Sequence, residues 1–128
     1  MVSTDFAHLK RRATSNPRGP EALRLQWLQA RAISSPFSHL LDLVGRHLDR
    51  GFSIPEIDAY INGLLMDAQQ RLRKVPRSGT MSPRRLRYAE RRIDSAAEAR
   101  LTGSRVRTPV VLQALAIAAE VEAHDRPH

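Results

Sequence analysis

Apolar residues recur along the chain at three- and four-residue intervals, a pattern that predicts helices. In four places, "SSPFSHLL", "FSIPEIDAY", "MSPRRLRY" and "VRTPVVLQ", a Ser or Thr stands at or just before a proline. A hydroxyl accepts N–H groups that a first helical turn leaves over, and proline at the first helical position forfeits no needed donor. Each reads as a helix start. Together with "GPEALRLQWLQARAI" they predict five helices, over residues 20–33, 36–50, 55–74, 83–101 and 109–123. No stretch alternates polar and apolar positions with enough β-branched side chains to compete as a strand.

The helical faces are legible at 100° per residue. Over 36–50, Phe37, Leu40, Leu41, Val44 and Leu48 share one arc, with Asp42, Arg46 and Asp49 opposite. Over 55–74, Ile57, Ile61, Leu64, Leu65, Ala68 and Leu72 do the same, while Asp58, Asn62 and Gln69 lie elsewhere. These two helices are expected to form the centre of the core. Over 20–33, Leu23, Trp27 and Ala30 lie on one side and Leu25, Leu28 and Ala32 on the other, which predicts packing on two surfaces with Trp27 as a packing residue.

The last helix, "TPVVLQALAIAAEVEAHD", is apolar from Val110 to Ala119 except at Gln113. Its apolar arc is about 220° wide and must be covered on more than one side. Either it is the central helix of a bundle, or its spare face, through Val110, Val111, Leu115 and Ala118, meets another chain as a homodimer or a docked partner.

The fold class that follows is all-α, a small compact bundle of about five helices with a basic mobile N-terminal arm. A chain of 128 residues is the usual size of one domain. That domain is expected over 20–124, after a flexible arm over 1–19, "MVSTDFAHLKRRATSNPRG", and before a frayed tail over 125–128. A flexible link, "KVPRSGT", is expected over 74–80. Only 5% of residues are aromatic, so Leu, Ile, Val and Ala must build the core. The lack of cysteine excludes disulfides and thiolate metal sites. With no run long enough to span a bilayer and none of signal-peptide length, a cytoplasmic location without a membrane partner is expected.

Charge changes the picture. The net charge is +8 and the isoelectric point about 11.3, which favours polyanionic partners. Of the 21 basic residues 19 are Arg, alongside 16 Ala, a bias that GC-rich coding also produces. Coding bias spreads arginine evenly, so its distribution is the better guide. Residues 1–34 carry six basic and two acidic groups, 35–74 five and five, 75–107 nine and three, and 108–128 one and three.

The densest stretch is "SPRRLRYAERR". On a helical wheel Arg84, Arg85, Arg87, Arg91 and Arg92 share one broad arc, with Tyr88 and Ser95 in its middle and Leu86, Ala89, Ile93, Ala96 and Ala97 opposite. Asp94 and Glu98 lie at its edge, with Arg87 and Arg91 as neighbours able to pair with them. Arginine suits phosphate because its guanidinium is planar, permanently charged and able to give paired hydrogen bonds; a tyrosine among such groups can stack on a base or sugar. Arg105 and Arg107, and Lys10, Arg11 and Arg12 in the arm, extend the candidate surface. Three readings compete: a nucleic-acid contact, DNA ahead of RNA; an acidic protein surface; and a plain solvated face.

Other constellations carry less. Ala59 and Gly63 have the spacing of a helix-turn-helix, but Gln69 stands where that motif buries an apolar residue, so one uninterrupted helix is expected. His39 and His47 are eight residues apart without the i, i+4 partner of a metal site, and His47 is expected at the boundary of the apolar stripe. Arg46 and Asp42 have the spacing of an i, i+4 pair. No phosphate-binding glycine loop, nucleophile elbow or carboxylate pair appears, so no enzyme, metal or cofactor is expected. The leading expectation is a non-catalytic basic helical protein, regulatory or accessory, that binds nucleic acid through residues 84–92. The alternative is a protein–protein adaptor, an inhibitor, or an accessory protein of phage, plasmid or secretion type, docking through the apolar C-terminal helix.

Overall fold

The computed structural model describes residues 2–74 and 81–125, and the side chains of 7–74 and 81–124. Of the link expected over 74–80, residues 75–80 lie outside them, as do residues 126–128 of the tail expected over 125–128, while Lys74 and Asp125 end helices. Among the described residues the chain is all-helical and has no strand. The helices are α1 (Val2–Ser15), α2 (Pro20–Ala32), α3 (Phe37–Arg50), α4 (Pro55–Lys74), α5 (Pro83–Leu101) and α6 (Thr108–Asp125). By internal contacts the chain divides into two compact units, Met1–Asp58 and Ala59–His128, with the division inside α4.

The helix starts follow the proline signals closely, but hydroxyl capping holds for only part of them. At α5 the Ser82 hydroxyl accepts from the Arg85 N–H at 3.2 Å, with Pro83 next in the chain. At α3 the N-cap is Pro36 itself, and no side chain caps the first turn. At α2 it is Gly19, again without a side-chain cap. Helix ends are equally local. After α5, Gly103 takes a left-handed φ of 72°, and the Ser104 N–H reaches back to the Ala99 carbonyl at 2.9 Å. After α2 the same turn is made by Ser34 at φ 53°, a conformation that costs a residue with a Cβ more than it costs glycine.

In the first unit α1 packs on α2 and α2 on α3. Residues 2–15, expected to lie in the arm, form a helix, so six helices stand among the described residues where about five were expected. Leu9 and Ala13, one turn apart, are both buried, while the helix stops ahead of Pro17 and Gly19. Leu23, Trp27 and Ala30 bury one side of α2 as expected, and Leu25 and Leu28 on its other side are half-buried. On α3 the buried set is Leu40, Leu43, Val44, Gly45 and His47, whereas Phe37, Leu41 and Leu48 are only half-buried. The stripe is therefore rotated from its expected centre. His47 is 3% exposed and not a boundary residue, because Asp58 stands 2.9 Å from its Nε2 and supplies the polar partner that burial demands.

In the second unit α4 runs on without a break, as expected, and buries Ile61, Leu65, Ala68 and Leu72. Leu64 is half-buried. Packed on each other, α5 and α6 are anchored unequally. α5 buries Ala89, Ile93 and Ala96, of which Ile93 alone is large and contributes about 1.5–3 kcal/mol. α6 buries Val111, Ala114, Leu115, Ile117, Ala118 and Val121. Three of its four candidate interface residues, Val111, Leu115 and Ala118, are thus enclosed within the chain, and Val110 is half-buried. The wide apolar arc is largely covered from inside.

Candidate functional site

α5 presents its arginines on a helix 19 residues long, with the small residues Ala89 and Ala96 turned inward and the long basic side chains turned out. Arg84, Arg87, Arg91 and Arg92 are exposed. Arg84, Arg87 and Arg91 fall within about 60° of arc and span about 10 Å along the helix axis. Among the described residues none of these three has a hydrogen bond or an ion pair. Asp94, expected beside them as a counter-charge, instead accepts a hydrogen bond from Gln69 Nε2 at 2.9 Å.

The other side of the arc is engaged by α6. Arg85 donates to both carboxylate oxygens of Glu120, from Nε at 3.1 Å and from Nη2 at 2.5 Å. Its hydrogen bonds to Glu120 raise the guanidinium's already high pKa, and they hold the Glu120 carboxyl below the usual carboxylate range against the opposing push of burial. Tyr88 is half-buried, with the guanidinium carbons of Arg85 and Arg92 over its ring at 5.1 and 5.3 Å from the centroid. Gln113 Nε2 donates to the Tyr88 hydroxyl at 3.0 Å. The tyrosine is accordingly flanked by cations on its own helix.

The remaining candidates lie apart from this face in the chain. Arg105 and Arg107 are exposed in the segment between α5 and α6. Lys10, Arg11 and Arg12 are exposed on α1, in the other unit, where Arg12 approaches Glu21 at 3.8 Å.

Two clefts draw on residues that the sequence did not single out. In the first unit a cleft of about 640 Å³ gathers His8, Glu21 and Glu56, but Arg12 stands by Glu21 and Arg24 pairs with Glu56, so neither carboxylate is left as a free base. In the second, a groove of about 730 Å³ between α4 and α5 has Met66 and Leu101 on its rim, 57% and 88% exposed. The Asn62–Arg100 and Gln69–Asp94 hydrogen bonds tie the two helices across it. Neither residue belonged to a stripe traced in the sequence; their lone positions outside the apolar arcs were the available signal.

His39 is exposed, and His47 is enclosed, with Asp58 as its hydrogen-bond partner and Nδ1 unpaired among the described residues. No group of three or more His, Asp or Glu able to hold a metal occurs among the described residues. Among the same residues no helix is long and apolar enough to cross a membrane. Compared with protein-family models, curated proteins and solved structures, the chain gives no match in any of the three.

Proposed function

We propose that this all-helical protein is a non-catalytic binding protein whose α5 arginine face contacts the phosphates of nucleic acid, duplex DNA ahead of RNA. The observation that carries the reading is the row Arg84, Arg87 and Arg91: three exposed guanidiniums on one helix face, with no partner among the described residues. Unpaired guanidiniums keep their full hydrogen-bonding fork for a phosphate. Contacts of this kind position a ligand without reading its sequence, so binding is salt-sensitive and weakly sequence-selective. Arg92, held near Tyr88, adds to the local positive field.

The test is fluorescence anisotropy with labelled duplex DNA, single-stranded DNA and RNA at about 150 mM salt, comparing the native chain with the triple variant Arg84→Ala, Arg87→Ala, Arg91→Ala. Duplex binding by the native chain, lost in the variant, is the expected result. No binding by the native chain removes the reading. A second reading, a protein adaptor, draws on the α4–α5 groove with its exposed Met66 and Leu101. It predicts instead that Leu101→Ser abolishes function while the triple arginine variant retains it.

A further inference from the structure

α6 meets the basic arc of α5 with two polar side chains two turns apart, Gln113 and Glu120. Each engages one member of that arc: Gln113 takes the Tyr88 hydroxyl, and Glu120 takes Arg85 through both carboxylate oxygens. A carboxylate bound through two oxygens occupies the same N–H fork that a phosphate would use. To use that Nε/Nη2 fork, a ligand phosphate must displace Glu120, and a phosphate at any remaining N–H of Arg85 meets a guanidinium whose charge Glu120 already balances. Arg84, Arg87 and Arg91 lie on the part of the arc turned away from Arg85 and carry no partner among the described residues, Asp94, three residues after Arg91, accepting from Gln69 instead.

Resting on the reading of α5 as a phosphate-binding face, we propose that Glu120 sets the footprint of the site by withholding Arg85 from the ligand. The basic arc then has two parts. Arg84, Arg87 and Arg91 contact phosphate. Arg85 is a positioning residue, tied to α6 by Glu120 and lying over the Tyr88 ring that also carries Arg92. A count of arginines in the sequence overstates the contacts the face makes, because one of the five is neutralised internally.

The salt dependence of binding to a mixed-sequence DNA duplex reads this directly, because each phosphate neutralised contributes about 0.9 to the slope of log K against log[salt]. Arg84→Gln is expected to reduce the magnitude of the slope by about 0.9, and Arg85→Gln to leave it unchanged. Glu120→Gln frees Arg85 and is expected to steepen it by about 0.9, whereas Asp67→Asn, the same charge change on α4, leaves it as it was. Circular dichroism checks the fold of each variant. If Glu120→Gln does not fold, the charge-reversed pair Arg85→Glu with Glu120→Arg replaces it and is expected to keep the native slope. If Arg85→Gln flattens the slope as much as Arg84→Gln does, or if folded Glu120→Gln leaves it unchanged, the proposal is overturned while the phosphate-binding face stands. If the native chain does not bind the duplex at any salt concentration, both fall together.

Discussion

The two units use similar residue types to different ends. Met1–Asp58 contains eight basic and six acidic residues, and Ala59–His128 contains thirteen and seven. In the first, carboxylates meet bases at several points: Glu21 with Arg12, Asp42 with Arg46, Glu56 with Arg24 and Asp58 with His47. In the second, Asp67 and Glu120 take Arg71 and Arg85, and the surplus gathers on α5. Arginine content alone therefore does not define a site. On the proposed reading, what does is a helix face whose arginines form no ion pair among the described residues, even though Glu90 and Asp94 stand three residues after Arg87 and Arg91. The arginine pairs of the first unit are exposed and contribute little to stability, at most about 1 kcal/mol each, unlike Asp58 with the buried His47. Folding is carried by the apolar positions of both units, and the unpaired charge of the second is available for binding.

That separation can be broken most forcefully at the cores. Leu43→Ala in α3 and Leu115→Ala in α6 remove side chains that are both 0% exposed, and each is expected to cost about 2–5 kcal/mol in urea denaturation. The triple arginine variant of α5 is expected to change stability by less than about 0.5 kcal/mol, as exposed substitutions do. A large destabilisation by that variant would place the arginines in the folding energetics and collapse the distinction. A smaller effect is expected at the enclosed histidine. Asp58→Ala leaves His47 buried with neither ring nitrogen paired, given that Nδ1 already lacks a partner, and is expected to cost about 1–3 kcal/mol. Ser34→Gly relieves the left-handed turn after α2 and is expected to stabilise by about 1 kcal/mol, read as a raised denaturation midpoint.

The smallest effect concerns Arg85, the arginine of the α5 face that is paired with an acid among the described residues. Glu120 titrates below the usual carboxylate range because Arg85 donates to it. A lowered folded pKa means that the contribution is fully present above the ordinary Glu value of about 4.3 and is lost as pH falls through the lowered value. Thermal midpoints of the native chain and Glu120→Gln are therefore expected to differ at neutral pH and to converge as the solution is acidified below about pH 4. A constant difference would mean that the carboxylate charge is not what ties α6 to α5.

Much of this architecture was legible in the sequence. The helices α2 to α6 begin and end within a residue or two of their expected limits, because proline and capping signals are local. α1 was obscured by the polar composition around Leu9 and Ala13, a stripe too narrow to stand out against Pro17 and Gly19. His47 was misplaced because its burial depends on Asp58, eleven residues further on, and periodicity within one helix carries no information about such a partner. The same holds at the candidate site. A helical wheel gathers five arginines and a tyrosine on one face, but it cannot show that Arg85 is taken by Glu120, 35 residues later, or that Tyr88 is bonded by Gln113. The wide apolar arc of α6 reads in the sequence either as a central helix or as a face for another chain, and most of that arc is enclosed by the chain's own residues.

The central claim is that binding belongs to the unpaired face of α5 and not to the net charge of +8. Two variants that each remove three positive charges put this to a direct comparison: Arg84→Ala, Arg87→Ala, Arg91→Ala on α5, and Lys10→Ala, Arg11→Ala, Arg12→Ala on α1. Measured as the salt dependence of duplex DNA binding, the α5 variant is expected to lose about 2.7 from the slope, and the α1 variant less than half as much. Equal losses would contradict the account, since they would show that the chain binds through its overall charge and that the α5 face is no more a site than any other basic helix.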